Sequence, residues 1–405
     1  MNHTTPAGGP GPDTGGTGGS RIPLSVLDLT VVGENGDPAA ALRRTASLAQ
    51  AVESWGYRRF WVAEHHSFPA SGSPAPAVLL AFLADRTRTI RLGSGGVMLT
   101  NHAPLVVAEQ FGVLNAFHPG RIDLGVGRNP GGLPAVEQAL RRAGHGKEDG
   151  ADDQVEDGGA HDRGAKNDRA KDGGDFADQV EELLGFLADR FPADHPYARD
   201  HVHVVPKAPE LPVWALGSGT TGAVTAARLG LPFAAAFHIN PGQALKAIDL
   251  YRSTFRPSAT LPEPHVMVSV NATCAPTAAG ALRLARSGAL MMMRARQGRQ
   301  SALPSADTAA RHPYTPEERE FVDGWLGGVV HGAPDAVHAG LTDLQIRTGA
   351  DELMLTTMIH DDTARALSYA LVAREFGLAA GADRPCPTGE PTQQTSDGGR
   401  LTADM

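Results

Sequence analysis

The sequence places paired histidines, paired glycines and an arginine directly after apolar runs, where side chains and bare backbone could take part in chemistry. Glu64-His65-His66 comes first; imidazoles accept and donate protons near neutral pH. Neighbouring residues of an extended chain point in opposite directions, so we expect no metal ion shared by His65 and His66. This stretch also has neither an HxH nor an HExxH spacing. One histidine can face a ligand and the other the packing, but histidines bonded to water or backbone fit the sequence equally well.

Two further stretches offer a flat surface and a positive charge. Gly95-Gly96 lacks Cβ atoms, so the backbone there could approach a flat ligand closely, although a tight turn is the ordinary alternative. Arg128 ends another apolar run. Its planar guanidinium suits a phosphate, and a solvated or ion-paired arginine remains equally compatible with the sequence.

The segment 217–222 reads GSGTTG, which has the G-x-G-x-x-G spacing of dinucleotide-binding turns. That function needs an acidic residue at the end of the next strand, and this strand ends in Phe237-His238. A simpler anion site remains, built from backbone N–H groups at a helix N-terminus and from Ser218, Gly219, Thr220 and Thr221. One phosphate site with an arginine nearby predicts a mononucleotide cofactor and no metal.

The elements that position these residues alternate between strand and helix along the chain. This pattern predicts an α/β fold, and eight strands, each followed by a helix, predict a (β/α)8 TIM barrel. The predicted strands are Pro23–Leu29, Arg59–Ala63, Ile90–Leu92, 122–128, Pro212–Leu216, Phe233–Phe237, His265–Thr273 and Leu353–Thr357. Catalytic residues of this fold follow the C-terminal strand ends, and His65, Gly95, Gly96, Arg128, Ser218 and Thr220 satisfy that rule. His118 precedes a strand and belongs to the opposite face.

Composition divides the chain into one barrel and three segments that cannot form a core. Residues 21–380 form the predicted barrel domain, and the tails 1–20 and 381–405 are predicted to be disordered. The segment 144–175 has Val155 as its only large apolar residue, which predicts a disordered charged insertion beside the barrel mouth. We also predict a short extra strand at 201–205 and a mobile lid at 297–316.

Charge and cysteine usage limit the possible functions. The net charge of −9 argues against nucleic acid as a partner, since such proteins usually carry a basic stripe. No apolar stretch reaches the ~18 residues that a membrane span needs, and the N-terminus lacks the apolar core of a secretory signal. The two cysteines, Cys274 and Cys386, allow no disulfide framework. We therefore expect a cytoplasmic protein with reduced thiols.

Five blocks of the sequence, in this order, resemble the bacterial luciferase-like monooxygenases, in particular an oxidoreductase branch with some members in natural-product pathways. The blocks are WVAEHH (Trp61–His66), IRLGSGGVMLTNHAPLVVAEQF (Ile90–Phe111), HPGRIDLGVGRNPG (His118–Gly131), LGSGTTGAVTAARLGLPFA (Leu216–Ala234) and TGADELML (Thr348–Leu355). Together the resemblance covers about residues 22–379. It is specific, because five blocks in register are hard to obtain by chance.

The resemblance implies a barrel that binds reduced flavin mononucleotide (FMN) at its C-terminal mouth and uses O2 to oxidise a small organic substrate. By position, Gly95-Gly96 matches a non-proline cis peptide against the flavin ring, and Arg128, Ser218 and Gly219 match the phosphate site. His65 matches the histidine near the reactive part of the flavin. Where many relatives have a hydroxyl residue in the phosphate loop this chain has Gly222, so Thr220 or Thr221 would have to supply that bond.

The resemblance also implies partners and leaves two alternatives. A separate flavin reductase usually supplies the reduced flavin, and such barrels commonly form homodimers through outer helices. The same superfamily contains dehydrogenases that use the deazaflavin coenzyme F420, which pass hydride and ignore O2. Other relatives have lost activity and bind flavin without catalysis. Asp28, near the end of the first strand, could contact a substrate or be a buried, bonded carboxylate.

Overall fold

A computed structural model describes residues 22–129, 134–140 and 172–378, which contain ten strands and thirteen α-helices. The strands are β1 (Leu24–Asp28), β2 (Arg59–Val62), β3 (Arg91–Ser94), β4 (Val97–Met98), β5 (Ile122–Gly127), β6 (Val213–Gly217), β7 (Phe233–Ala235), β8 (Val266–Cys274), β9 (Val330–Gly332) and β10 (Glu352–Thr356). The order β10-β1-β2-β3-β5-β6-β7-β8 is parallel throughout, and β8 pairs with β10 to close the sheet. This closed parallel sheet confirms the predicted (β/α)8 barrel.

The helices cover the outside of the barrel, and many begin with a proline or a capping side chain. They are α1 (Pro38–Ser54), α2 (Pro76–Arg86), α3 (Pro104–Phe117), α4 (Pro134–Leu140), α5 (Asp172–Ala188), α6 (Pro196–Arg199), α7 (Thr220–Leu229), α8 (Pro241–Thr254), α9 (Ala278–Arg296), α10 (Ala306–Arg311), α11 (Pro316–Leu326), α12 (Pro334–Thr348) and α13 (Asp362–Glu375). Asp37 caps α1 by accepting from the N–H groups of Ala39 and Ala40, as its Asp-Pro start predicts. No helix among the described residues is long and apolar enough to cross a bilayer.

Alternate strand residues point into the barrel and form layers. The lowest layer is charged: the Arg59 guanidinium lies 2.7 Å from Asp123 Oδ2 and 3.0 Å from Glu352 Oε1. The next layer is apolar and consists of Leu27, Trp61, Ala63, Trp214, Ala234, Met267 and Met354. These two layers fill the N-terminal part of the barrel interior, so a ligand would enter from the C-terminal end.

Two sequence predictions differ from the structure. Residues 201–205 form a turn and irregular chain, because Val204 packs singly into the core and the closed barrel offers no free edge there. Helix α5 begins at Asp172, so the last residues of the segment 144–175 belong to a helix; the rest of that segment and both predicted tails lie outside the described residues.

The segment 297–316, predicted as a mobile lid, is connected to the loop after β1. This segment contains helix α10, and its Leu303 is buried and exchanges backbone hydrogen bonds with Val32 and Glu34. Glu34 Oε1 also accepts from Ser305 N at 3.0 Å and from Thr308 Oγ1 at 2.7 Å. The segment therefore contains a short helix and is hydrogen-bonded to the loop after β1, and its mobility stays a prediction.

Candidate active site

The residues selected from the sequence lie at one rim of the barrel, where the strands end. His65 follows β2, and Gly95-Gly96 lies between β3 and β4. Arg128 follows β5 directly. Ser218 and Gly219 connect β6 to α7, whose first two residues are Thr220 and Thr221. The fold therefore brings together groups that are more than 150 positions apart in the chain.

The glycine pair forms a flat surface of bare backbone. The Gly95–Gly96 peptide bond is cis, as the resemblance implied. A Cβ on Gly95 would lie 2.6 Å from Leu27 Cδ1, and one on Gly96 would lie 2.9 Å from Gly125 O. Real Cβ atoms do not approach other atoms so closely, so these positions accept no larger residue without a shift of their neighbours.

A positive charge and a helix N-terminus meet at the adjacent part of the rim. The pairing Val126↔Ala215 between β5 and β6, continued by two residues, places Arg128 beside Gly217. Among the described residues, no hydrogen bond or ion pair reaches the Arg128 guanidinium. No side chain of the described residues caps α7 at Gly219, so its first N–H groups remain available to an anion.

The structure also explains the glycine at position 222, in the first turn of α7. Gly222 is buried, and a Cβ there would lie 2.6 Å from Leu216 O. A hydroxyl residue at this position would therefore collide with the backbone of β6. Thr220 is exposed and Thr221 is half-buried, so a side-chain hydroxyl for the anion would have to come from one of them.

Two imidazoles lie together in the mouth. His65 Nδ1 is buried and has no hydrogen-bond partner among the described residues. Burial lowers the pKa of His65, with a raising effect from Glu64 and a lowering one from His66. Burial also lowers the pKa of His238 to about 4, and the nearby His65 adds to that shift. Both imidazoles are therefore neutral at pH 7 and can accept a proton.

Sequence reasoning did not foresee a cluster around Glu64. This carboxylate is fully buried, and its Oε1 lies 2.7 Å from His66 Nε2 and 2.9 Å from His102 Nε2. Its Oε2 accepts from Met98 N at 3.1 Å. Burial raises the pKa of Glu64, but these hydrogen bonds outweigh burial and lower the pKa below its ordinary value. The carboxylate is therefore ionised at neutral pH. Glu64 thus fastens the chain around His65 to the chain that follows Gly95-Gly96.

Glu64, His66 and His102 are also the potential metal ligands that the structure brings together among the described residues. The ligand atoms of Glu64, His66 and His102 lie within 4.8 Å of one another. Both imidazole nitrogens contact a single carboxylate oxygen at hydrogen-bond distance, which is the arrangement of a hydrogen-bonded cluster. His102 lies 38 residues after Glu64, so no short spacing motif could have predicted the cluster.

Asp28 has a structural role. Its Oδ2 accepts from Thr45 Oγ1 at 2.6 Å and from Thr30 N at 3.0 Å, and the residue is buried. Of the two possibilities that the sequence left open, the bonded buried aspartate is the one that the structure contains.

Comparison with known proteins places this arrangement in a family. The family model described as luciferase-like monooxygenase matches residues 22–351. A luciferase-like monooxygenase of Escherichia coli (strain K12) is 38% identical over 351 residues, which are 86% of this chain and 96% of the relative. An N-acetyl-S-alkylcysteine monooxygenase of Bacillus subtilis (strain 168) is 32% identical over 354 residues, which are 87% of this chain and 97% of the relative.

Solved structures agree with this result. Apo-MsnO8 shares 35% identity and a TM-score of 0.74, over 89% of this chain and 98% of that one. The oxygenating constituent of 3,6-diketocamphane monooxygenase, in complex with FMN, shares the fold at 18% identity and a TM-score of 0.59, over 88% of this chain and 98% of that one. The extent and identity of these matches show that the chain belongs to the luciferase-like monooxygenase family.

Proposed function

We propose that the protein is a monooxygenase that binds reduced FMN and uses O2 to oxidise a small organic substrate. The observation that carries this proposal is the position of the anion site and the glycine surface on one rim. Arg128 and the N-terminus of α7 suit a single phosphate, and the bare backbone of Gly95-Gly96 suits a flat ring. Buried polar atoms without a partner among the described residues, such as His65 Nδ1, also lie at this mouth. The residues present therefore fit FMN.

When bound, reduced flavin would supply the electrons and activate O2, while the protein supplies orientation and a dry site. Arg128, Ser218, Gly219, Thr220 and Thr221 would hold the phosphate. His65, neutral through burial, would accept or return a proton next to the ring. Its backbone N–H is fixed by a 3.0 Å bond to Ser73 O.

An apolar cluster beside the mouth, which we call the apolar wall, favours binding of an organic substrate and excludes water. Val31, Ala70, Met291 and Leu303 are buried there and pack with the partly buried Leu29, Phe68, Met292 and Met358. The His65 and Phe68 rings are 5.6 Å apart, so the wall reaches the imidazole. Such a surface removes competing water from reactive groups.

The phosphate assignment predicts a loss of affinity on removal of the arginine. Arg128→Ala should weaken binding of reduced FMN by about 10- to 100-fold, because a hydrogen bond to a charged group contributes roughly 1.5–3 kcal/mol. An anaerobic titration monitored by flavin absorbance measures this. Arg347→Ala, which changes an exposed arginine on α12, is the control. Equal affinity in both variants would contradict the assignment.

The role of His65 predicts a separation of binding from turnover. His65→Ala should keep reduced FMN affinity within about threefold and reduce substrate oxidation by about 10²- to 10⁴-fold. A substrate screen would begin with N-acetyl-S-alkylcysteines, because one relative is named for them. His118→Ala, at the opposite end of the barrel, is the control. Full turnover by His65→Ala would remove His65 from this role.

The F420-dependent alternative is tested by the same titration. An F420-dependent alcohol dehydrogenase shares this fold at 14% identity and a TM-score of 0.55, which concerns the fold alone. Binding of F420 without binding of FMN would favour a hydride-transferring enzyme, and binding of FMN without any oxidation would favour a flavin-binding protein. The flavin reductase and a place in natural-product metabolism stay predictions of the resemblance, and the cytoplasmic location stays a prediction from cysteine usage.

We also propose a homodimer through α2 and α3. Of the nine large apolar residues that are exposed in the described part of the chain, five lie on these two adjacent helices: Val78, Phe82, Val106, Val113 and Phe117. Val106, Val113 and Phe117 recur at seven and four residues and so share one face of α3. Exposed apolar residues concentrated on two neighbouring helices favour an interface, and a second copy supplies the same surface about a two-fold axis.

A further inference from the structure

Two buried polar atoms on β8 and β10 have no partner in the part of the protein that the structure describes. Asn271 Oδ1 and Thr356 Oγ1 make no hydrogen bond to any described residue. Asn271 is 5% exposed and Thr356 is 1% exposed. A buried polar atom left without a partner costs roughly 1–3 kcal/mol, so such atoms in a folded protein usually meet water or a ligand.

The two side chains are neighbours and point into the barrel. Thr356 and Asn271 are opposite each other in the β10–β8 pairing. Met354 lies two residues before Thr356 on the same face of β10, and Met267 lies four residues before Asn271 on the same face of β8. Both methionines belong to the apolar interior layer with Trp61 and Trp214. The intervening residues of both strands, such as Val270 and Leu355, pack outward against the helices. The alternation of strand side chains therefore aims both polar groups at the mouth.

The pair also lies close to the glycine surface. The pairing Val26↔Leu355 between β1 and β10, continued by one residue, places Leu27 beside Thr356. Leu27 Cδ1 is the atom that would lie 2.6 Å from a Cβ on Gly95. Around the closed sheet β10 lies opposite β5, the strand that ends at Arg128. A ligand with its phosphate at Arg128 and its ring on Gly95-Gly96 would therefore extend toward Asn271 and Thr356.

We propose that Asn271 and Thr356 bind the hydrogen-bonding edge of the flavin ring, where an imide N–H lies between two carbonyl groups. This inference rests on the proposed function. Asn271 Oδ1 can only accept, so it matches the ring N–H, and the Thr356 hydroxyl can donate to a ring carbonyl. The pair would act as a second anchor across the mouth from the phosphate site, and it would orient the ring over the glycine surface.

The neighbouring His238 and Ser269 do not compete for this role. His238 Nδ1 and Ser269 Oγ lie 2.8 Å apart, and Ser269 Oγ donates to Ala235 O at 3.2 Å. Their hydrogen bonds are already formed within the protein. Asn271 and Thr356 therefore remain as the polar groups of β8 and β10 that need an external partner at this level.

The test compares two flavins and two kinds of variant. Thr356→Val removes the hydroxyl at constant shape, Thr356→Ser restores it, and Asn271→Leu removes the amide. Anaerobic titrations with reduced FMN and with reduced riboflavin, which has the ring but no phosphate, separate the two ends of the ligand and are monitored by flavin absorbance. Thr357→Val is the matched control, because the adjacent Thr357 hydroxyl donates to Ala272 O at 2.7 Å and points away from the mouth.

We expect Thr356→Val and Asn271→Leu each to weaken both flavins by about 2- to 12-fold, which corresponds to one neutral hydrogen bond. Thr356→Ser and Thr357→Val should bind as the unaltered protein does, whereas Arg128→Ala should weaken FMN and leave riboflavin unchanged. Unchanged affinity for both flavins in Thr356→Val and Asn271→Leu would overturn the inference and assign these atoms to water or substrate.

The same titrations separate failure of the inference from failure of the proposed function. If the unaltered protein binds F420 but not FMN, the cofactor assignment fails; the inference survives if the variants weaken F420, whose ring carries the same imide edge. If the unaltered protein binds neither FMN, riboflavin nor F420, both the proposed function and the inference are wrong.

Discussion

At the scale of single residues, the polar groups of the mouth divide into those bonded within the protein and those left free. Glu64 is bonded through both oxygens to His66, His102 and Met98. His65 Nδ1 has no partner among the described residues, although it is adjacent to Glu64 in sequence. The groups with partners fix the loops, and the groups without partners are the ones available to a ligand.

The half-buried imidazole of His238 predicts a measurable dependence of stability on pH. Burial lowers its pKa from the ordinary value of 6.5, which the unfolded chain retains, to about 4 in the folded chain. As pH falls below 6.5 the unfolded chain binds a proton that the folded chain does not, so the free energy of unfolding decreases until pH reaches about 4. Between pH 7 and pH 4.5 this loss is about 2 kcal/mol.

His238→Gln should remove that part of the loss, because glutamine does not titrate and can still bond Ser269. Urea unfolding of both proteins at pH 7 and pH 4.5 measures it, and the other titrating groups contribute equally to each. The same decrease in both proteins would show that His238 is not responsible.

At the scale of elements, the rim depends on the close contact of β3 with β5. Ser94 Oγ donates to Gly125 O at 2.8 Å and accepts from Gly125 N at 3.0 Å. A Cβ on Gly125 would lie 2.2 Å from Ser94 O. Glycine on β5 is therefore a packing requirement that lets the strand carrying Gly95 approach the strand carrying Arg128.

Gly125→Ala should destabilise the barrel by about 1–3 kcal/mol, which is the usual cost of overpacking. Gly127→Ala is a matched control two residues along the same strand, because its nearest contact would be Met98 Sδ at an ordinary 3.6 Å. Thermal unfolding of the two variants should differ in midpoint by several degrees. Equal midpoints would show that β3 and β5 can separate without cost.

At the scale of the whole molecule, exposed apolar residues are unevenly distributed over the described outer surface. The exposed apolar residues among those described concentrate on α2 and α3. Cys274 lies in the interior, and burial raises the pKa of its thiol to about 12, so the thiol is inert. The helices thus present one surface suited to another protein molecule.

Disruption of this surface should separate the copies. The double variant Phe82→Glu and Phe117→Glu should elute as a monomer in size-exclusion chromatography with light scattering, since like charges would meet across the two-fold axis. Ile346→Glu changes an apolar residue that is 71% exposed on α12 and should leave the mass unchanged. A monomeric unaltered protein would contradict the proposed dimer.

Local patterns determined most of the fold. Strand alternation, the Asp37-Pro38 helix start and the glycine turns predicted the eight barrel strands and their helices. The rule that strand ends share one rim was then enough to group His65, Gly95, Gly96, Arg128 and Ser218. The prediction of a strand failed at residues 201–205, where contacts distant in sequence decide whether a short segment pairs with a sheet.

The sequence by itself therefore determined the barrel and the candidate residues at its mouth, because periodicity and strand-end position are local properties. Only the tertiary structure decided which groups are partners. Glu64 bonds His102, which lies 38 residues later in the chain. Asn271 and Thr356 are opposite each other in the β8–β10 pairing, and neither Asn271 Oδ1 nor Thr356 Oγ1 has a hydrogen-bond partner among the described residues. Burial and hydrogen bonding depend on atoms brought together by barrel closure, and no spacing along the chain encodes them.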